Sequence, residues 1–235
     1  TVVYLLDNMT SVGNISVTVE YTGNETYLPS VANNTEDNNV LKNITVTPRN
    51  ATITVEVTPT STTIGENVTI CGQLVDEMGN NIADADLVVI VDGVGIAVKT
   101  NSTGGYSFNY TAGRIADDIV VNATFDGGNN YNPTSANTTF NVTKIATKTQ
   151  VTILNKTIGN VTVHVDVTNL TDDPVARGHV VVSNQTGVII GEGELVNGGV
   201  DITLNVNTVG NVKVNVTYQE NDIYYGSNAV NISLS

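Results

Sequence analysis

Very few residues of this chain are of types that do chemistry, and their spacing keeps them apart. One cysteine, Cys71, and two histidines, His164 and His179, are its whole stock of soft metal ligands and neutral-pH proton carriers. A zinc centre draws three or four such side chains together. No Cys or His cluster surrounds either histidine, so both read as surface residues. Nucleophilic catalysis needs a base within reach of the nucleophile, yet the sequence holds no Gly-x-Ser-x-Gly elbow, no phosphate-cradling glycine loop and no histidine near Cys71. The adjacent carboxylates Asp117 and Asp118 fall in an expected turn. The chain is therefore read as a non-enzyme, with no catalytic, cofactor-binding or metal residue assigned. Calcium is the one ion that Asp84, Asp86, Asp117, Asp118 and Asp126 would suit as hard oxygen donors. They lack the fixed acidic spacing of a calcium loop, and solvated loops carrying the net charge are the simpler reading.

One chemical motif does recur. Asn-x-Ser/Thr occurs 18 times, and such an asparagine is an acceptor for N-linked sugar where it is exposed in an exported protein. Asn8, Asn24, Asn67, Asn101, Asn122, Asn160, Asn184 and Asn215 are the candidates taken here, some of them on wet strand faces or at strand ends. The competing reading is that a strand protein rich in Asn and Thr generates the triplet by chance.

The elements that position these residues follow from composition and periodicity. Lys and Arg total 9 against 23 Asp and Glu, a net charge of −14 that repels phosphate backbones and anionic lipid. Nucleic acid and membrane surfaces are thereby excluded as partners. Only 14% of residues are charged, so solubility rests on Asn, Thr, Ser and Gly, which favours an exterior location. No apolar run approaches the ~20 residues of a spanning helix, and no charged, apolar leader opens the sequence. Any signal or anchor is expected outside this stretch.

Strict apolar/polar alternation recurs, as in Asn14–Val19, Asn160–Val167 and Asn211–Val216. A period of two is a strand with one wet face, and Val, Ile and Thr, stiff at χ1, suit it better than a helix. Turn clusters such as Met78-Gly79-Asn80-Asn81, Asp92-Gly93 and Asn197-Gly198-Gly199 separate the runs. Short antiparallel strands at this spacing predict β-sandwiches. In the strand holding Cys71 the inward phase belongs to Val68, Ile70 and Leu74, which points the thiol outward as an inert group or an intermolecular coupling site. His164 and His179 are expected on early strands of opposite sheets.

An internal repeat divides the chain. Tyr21 and Tyr27 match Phe125 and Tyr131, and then Tyr218 and Tyr224, with an alanine at the same offset in each case (Ala32, Ala136, Ala229). Phe125 follows Tyr21 by 104 residues and Tyr218 follows Phe125 by 93, a sandwich-sized period. The polar stretch Asn33–Asn39 accounts for the longer interval. The motif is expected as the loop between the last two strands of each sandwich, its tyrosine packed across the sandwich end. Boundaries follow at 1–48, an incomplete repeat, and at 49–143 and 144–235. The first strands of the incomplete repeat are expected either upstream or from another chain.

Thr63-Ile-Gly-Glu-Asn-Val-Thr-Ile, Thr103-Gly-Gly-Tyr-Ser-Phe and Val121-Asn-Ala-Thr-Phe-Asp-Gly-Gly-Asn-Asn-Tyr, with Gly178-His-Val-Val-Val and Val209-Gly-Asn-Val-Lys-Val-Asn-Val-Thr-Tyr, resemble the bacterial-type immunoglobulin-like repeats of large surface proteins. The Asn/Thr-rich character is similar to adhesin-like proteins of methanogenic archaea. The resemblance implies an all-β fold of tandem immunoglobulin-like antiparallel β-sandwiches. It also implies an extracellular, cell-surface location and a structural or adhesive stalk that meets other cells or surface glycans. A self-assembling filament or surface-layer subunit, its partners neighbouring copies of itself, is the alternative, and an accessory domain of a carbohydrate-active protein a third. Such modules sometimes weld their sheets by a Lys–Asn bond. Lys148 with Asn228 or Asn231 would be the pair here, but no acid is evidently placed to assist, and Lys99 lies on a middle strand.

Overall fold

The computed structural model describes residues 12–15, 17–33, 44–128, 130–208 and 210–234. Asn8 and most of the polar stretch after Asn33 lie outside the described residues. Among its described residues the first repeat holds the short strands β1 (Gly13–Ile15), β2 (Thr18–Tyr21), β3 (Ser30–Asn33) and β4 (Ile44–Val46). β1 pairs antiparallel with β4, and β2 with β3, Val19 lying opposite Ala32.

The second repeat runs through β5 (Ala51–Ile53), β6 (Glu56–Thr58), β7 (Ser61–Thr63), β8 (Asn67–Asp76), β9 (Asp86–Val91), β10 (Val94–Lys99), β11 (Gly105–Thr111), β12 (Ala116–Phe125) and β13 (Thr134–Thr143). One sheet has the order β10-β9-β12-β13-β7, β7 lying parallel to the end of β13, and the other is β11-β8-β5 with β6 also on β8. The first strand of this repeat is thus broken into three pieces that change sheets. In the third repeat, β14 (Thr147–Thr157), β15 (Asn160–Asn169) and β18 (Gly199–Leu204) make one sheet, in that order. β16 (His179–Asn184), β17 (Ile189–Glu194), β19 (Lys213–Tyr218) and β20 (Ser227–Ser233) make the other, in the order β17-β16-β19-β20.

The alternation in the sequence is the alternation of burial. Leu87, Val89 and Val91 of β9 and Val121, Ala123 and Phe125 of β12 are buried, with exposed or half-buried residues between them. In the third repeat Val163, Val165 and Val167 of β15 meet Val180, Val182, Val214, Val216 and Tyr218 of the facing sheet. Each such aliphatic side chain taken out of water contributes about 1.5–3 kcal/mol before entropy is set against it. Asp92-Gly93 and Asn197-Gly198 both have two successive positive φ angles (50° and 80°, 50° and 85°). That is the type I′ geometry of a tight hairpin, and it explains those residue types there.

By compactness the chain divides into two units. One holds Asn67–Tyr110, Asp118–Phe140 and the described residues up to Thr60; the other holds Ser61–Glu66, Thr111–Asp117 and the chain from Asn141 onward.

Candidate interaction site at the repeat-motif loops

The motif loop, between β2 and β3, between β12 and β13 and between β19 and β20, is closed by one kind of backbone bond in all three repeats. Three residues before the loop tyrosine, a backbone N–H donates to that tyrosine's carbonyl: Asn24 to Tyr27 at 2.9 Å, Gly128 to Tyr131 at 3.2 Å and Asn221 to Tyr224 at 3.1 Å. In the first and third repeats the asparagine at that place also caps the turn. Oδ1 of Asn24 accepts from the N–H of Thr26 and of Tyr27, both at 2.8 Å, and Oδ1 of Asn221 accepts from Ile223 and Tyr224, both at 2.9 Å. Short polar side chains form such local turns readily. Gly23 and Gly127 hold the same φ, 83°, and a Cβ on either would come within 3.0 Å of backbone atoms across the loop, so only glycine fits.

In the second and third repeats this loop grips the segment that leads into the same repeat. Arg49 lies in a parallel bridge with Tyr131: its N–H donates to the Asn130 carbonyl at 2.9 Å, and its own carbonyl accepts from the Asn132 N–H at 2.8 Å. Ile145 does the same with Tyr224, donating to Ile223 and accepting from Tyr225, both at 2.9 Å. Neighbouring side chains reinforce each grip. Arg49 pairs with buried Asp76 at 3.3 Å, and Lys144 with Glu220 at 2.6 Å. Thr147 Oγ1 lies 2.8 Å from both the Tyr225 carbonyl and Ser227 Oγ. The Asp76 carboxyl is held below its usual range, first by the amide of Asn80.

The motif aromatics divide by repeat. Phe125 is buried with the Tyr131 ring beside it, centroids 6.4 Å apart. Tyr218 is fully buried, donates to the Arg177 carbonyl at 3.0 Å and accepts from Asn221 Nδ2 at 2.9 Å, while Tyr224 packs against the core. Burial is the main reason the Tyr218 phenol titrates above its ordinary range. Tyr21 and Tyr27 of the first repeat are exposed.

The candidate asparagines have local structural work. Oδ1 of Asn101 accepts from Thr103 N, Thr103 Oγ1 and Gly105 N, and Oδ1 of Asn184 from Thr186 N, Thr186 Oγ1 and Val188 N. The threonine of the triplet and the residue two places beyond it thus close a turn on the asparagine. Asn155 and Asn169 form the same turn, but Nδ2 of each is engaged, with the Asn160 carbonyl and with Asp173 Oδ2. Asn122 accepts from Thr124 Oγ1 at 3.0 Å, and Asn215 from the Asn231 N–H at 2.9 Å. Asn67 and Asn160 are exposed at the starts of β8 and β15.

His164 on β15 and His179 on β16 sit on opposite sheets, each between two carboxylates. His164 Nδ1 is 2.5 Å from Asp201 and Nε2 is 3.1 Å from Asp166; His179 Nδ1 is 2.8 Å from Glu194 and Nε2 is 3.3 Å from Glu192. Hydrogen bonding to Asp201 and to Glu194 is the largest cause raising the two imidazoles above their ordinary value. Among the described residues no group of three or more His, Cys, Asp or Glu is placed to hold a metal ion. Asp84 adopts a left-handed φ before β9, whereas Asp117 and Asp118, expected in a turn, lie within β12, Asp118 with a left-handed φ inside the strand. Lys148 pairs with Asp172 and Lys99 with Asp86. Cys71 is half-buried on the outward phase of β8. No helix among the described residues is long and apolar enough to cross a membrane.

First, second and fifth strands on one sheet, with third, fourth, sixth and seventh on the other, define an immunoglobulin-like sandwich, here without the tryptophan and paired cysteines of antibody domains. The chain is similar to the solved structure of invasin, a bacterial integrin-binding protein, at 18% identity and a TM-score of 0.47, over 76% of this chain and 39% of that one. It is also similar to the titin domains Z1Z2 in complex with telethonin (13%, TM-score 0.42, over 79% and 98%). A 1.5-MDa bacterial ice-binding adhesin is a further likeness (16%, TM-score 0.36, over 80% and 65%). The chain spans less than two thirds of the invasin and ice-binding-adhesin chains. No protein-family model and no curated protein matches it.

Proposed function

We propose that this chain is a stretch of an extracellular, adhesin-like surface protein whose sandwiches, over 49–143 and 144–235 and preceded by part of another at 1–48, stand in tandem as an adhesive stalk. The observation that carries this reading is the repeated grip of a motif loop on its own lead-in segment, at Arg49 with Tyr131 and at Ile145 with Tyr224. A chain that starts a new sandwich several times benefits from one reusable way of fixing each start. The polar, acidic surface suits a location outside the cell, and other cells or surface glycans are the partners such a stalk would meet. Asn24, Asn101 and Asn184 are the best-placed sugar acceptors, because their Oδ1 atoms take the turn's hydrogen bonds without Nδ2 being drawn into them. The Asn/Thr-rich character supports an adhesin-like protein of the archaeal kind.

Sedimentation across a wide concentration range tests the stalk: a monomer at every concentration supports it, and ordered polymers contradict it. Polymers would favour the second reading, a filament or surface-layer subunit whose first repeat is covered by a neighbouring copy. The exposed apolar residues of β2 and β3, Val19 at 54% and Val31 at 57%, are the observation on its side. Intact mass of the protein from its native source tests the sugars, and a mass equal to the bare polypeptide removes them.

A further inference from the structure

One Asn-x-Thr triplet stands at the same place in the second and third repeats and is used in two ways. Asn215 and Thr217 follow Asn122 and Thr124 by 93 residues, the period that separates Phe125 from Tyr218. Both triplets lie on the strand before the motif loop, out of phase with its buried residues and so on the outer face of the sheet. In the third repeat the asparagine is committed to the fold: its Oδ1 accepts from the Asn231 N–H at 2.9 Å and from Gln185 Nε2 at 3.3 Å. In the second, Oδ1 of Asn122 accepts from Thr124 Oγ1 at 3.0 Å, and Nδ2 makes no hydrogen bond among the described residues. The surface beside it is apolar. Cross-strand partners share a face, so Ile90 stands next to Asn122 and Val88 next to Thr124, and Gly95 and Ala97 of the edge strand β10 extend the same two rows. Val88 is 42% exposed and Ile90 40%, whereas Val181, opposite Thr217 and at the place of Val88, lies beside Glu192 at 8%. The next row outward is the ion pair of Lys99 with Asp86.

We propose that Asn122 carries an N-linked sugar whose first rings lie on the apolar floor of Val88, Ile90, Gly95 and Ala97, while Asn215 stays bare. The proposal rests on the reading of the chain as an exported glycoprotein and names one site and one covered surface within it. Tying Oδ1 to the Thr124 hydroxyl leaves Nδ2 as the free end of the amide. The new bond joins Nδ2 to the anomeric carbon of a sugar phosphate held on a lipid or nucleotide carrier. The carbon–oxygen bond to the phosphate breaks with its electron pair on the phosphate, and one amide proton passes to a base of the transferring enzyme. A pyranose ring has a face of C–H groups and a rim of hydroxyls, so it can take apolar side chains out of water while its rim stays wet. Glycine and alanine in the outer row keep the floor low beside Ile90 and Val88, which leaves room for a ring. A second copy of the chain is a poorer cover, because a net charge of −14 sets two such molecules against each other and leaves a neutral sugar indifferent.

Site-resolved peptide mass spectrometry of the protein from its native source is the first test. A sugar mass on Asn122 and an unmodified Asn215 are expected. An unmodified Asn122 with sugar on other asparagines would overturn this site and leave the exported glycoprotein standing, whereas a chain bare throughout would overturn both. The floor is tested on the same glycoprotein by NMR. Nuclear Overhauser contacts should join ring C–H protons of the first sugars to the methyl groups of Val88 and Ile90. Enzymatic removal of the sugar should abolish those contacts and shift both residues' methyl signals, while the methyl signals of Val181 stay in place. A sugar on Asn122 without contact to either methyl-bearing side chain would overturn the floor. Self-association of the glycoprotein that Ile90→Ser abolishes would overturn the sugar as the occupant in favour of a second copy.

Discussion

The motif loops of the first and third repeats are closed by matching hydrogen bonds, and their aromatic residues nevertheless lead opposite lives. Tyr27 is 66% exposed whereas Tyr224 packs on a core, and Tyr21 lies in the open where Tyr218 is fully buried. The loop itself is a local product: an asparagine, a turn and a tyrosine carbonyl suffice, all within four residues. Aromatic burial is a product of distance along the chain, since the groups around Tyr218 include Val180 of β16, Gly178 and the Arg177 carbonyl. Local chemistry therefore makes the loop, and long-range packing decides whether its aromatics are covered.

The largest way to sharpen this contrast is to truncate the aromatics. Tyr218→Ala should destabilise the third repeat by about 4 kcal/mol, the loss of a large buried ring together with its hydrogen bonds. Tyr21→Ala should stay within about 0.5 kcal/mol of the parent. Urea unfolding followed through the amide signals of β19 reads the difference, and equal effects would erase the contrast. Next comes the grip. Ile145→Pro removes the N–H given to Ile223 and should cost the third repeat about 1–3 kcal/mol in the same unfolding assay.

The smallest effect is one of pH, and it belongs to the third repeat alone, because His164 and His179 both lie there. Their folded values are raised above the unfolded one. Their stabilising contribution is therefore complete below the ordinary histidine value of about 6.5 and is lost as pH rises through the folded value. The carboxylates facing them are Asp166, Asp201, Glu192 and Glu194. The third repeat should accordingly unfold at a slightly higher urea concentration at pH 6 than at pH 8.5, and the double variant His164→Asn/His179→Asn should flatten that slope. Both imidazoles are partly exposed, so salt should weaken the effect.

Much of this architecture is open to reading in the residues. The inward phase of Val68, Ile70 and Leu74 in β8, the hairpin at Asp92-Gly93 and the common offsets of the three motif loops follow from period and turn chemistry, because each is set by neighbours a few residues away. The grip on Arg49 and Ile145 leaves no such mark. It joins backbone atoms about eighty positions apart, and backbone bonds have no side-chain signature. The break of the first strand into β5, β6 and β7 is hidden for the same reason, since both sheets together decide where it changes partners. The carboxylates clamping His164 and His179 sit mostly on neighbouring strands, Asp201 being 37 residues from His164. For the Asn-x-Thr triplets a signal was present: threonine two places after asparagine is itself the pattern of a turn in which the asparagine oxygen is capped.

Hydrogen–deuterium exchange of the unliganded chain, resolved to single amides, measures the central distinction most directly. Asn132 and Tyr225, each donating to a lead-in carbonyl, should exchange slowly, and Leu28, at the matching place, should exchange as fast as an open chain. Equal protection at the three amides, or fast exchange at Asn132 and Tyr225, would contradict a loop that grips the lead-in segment in the second and third repeats and makes no such bond among the described residues of the first.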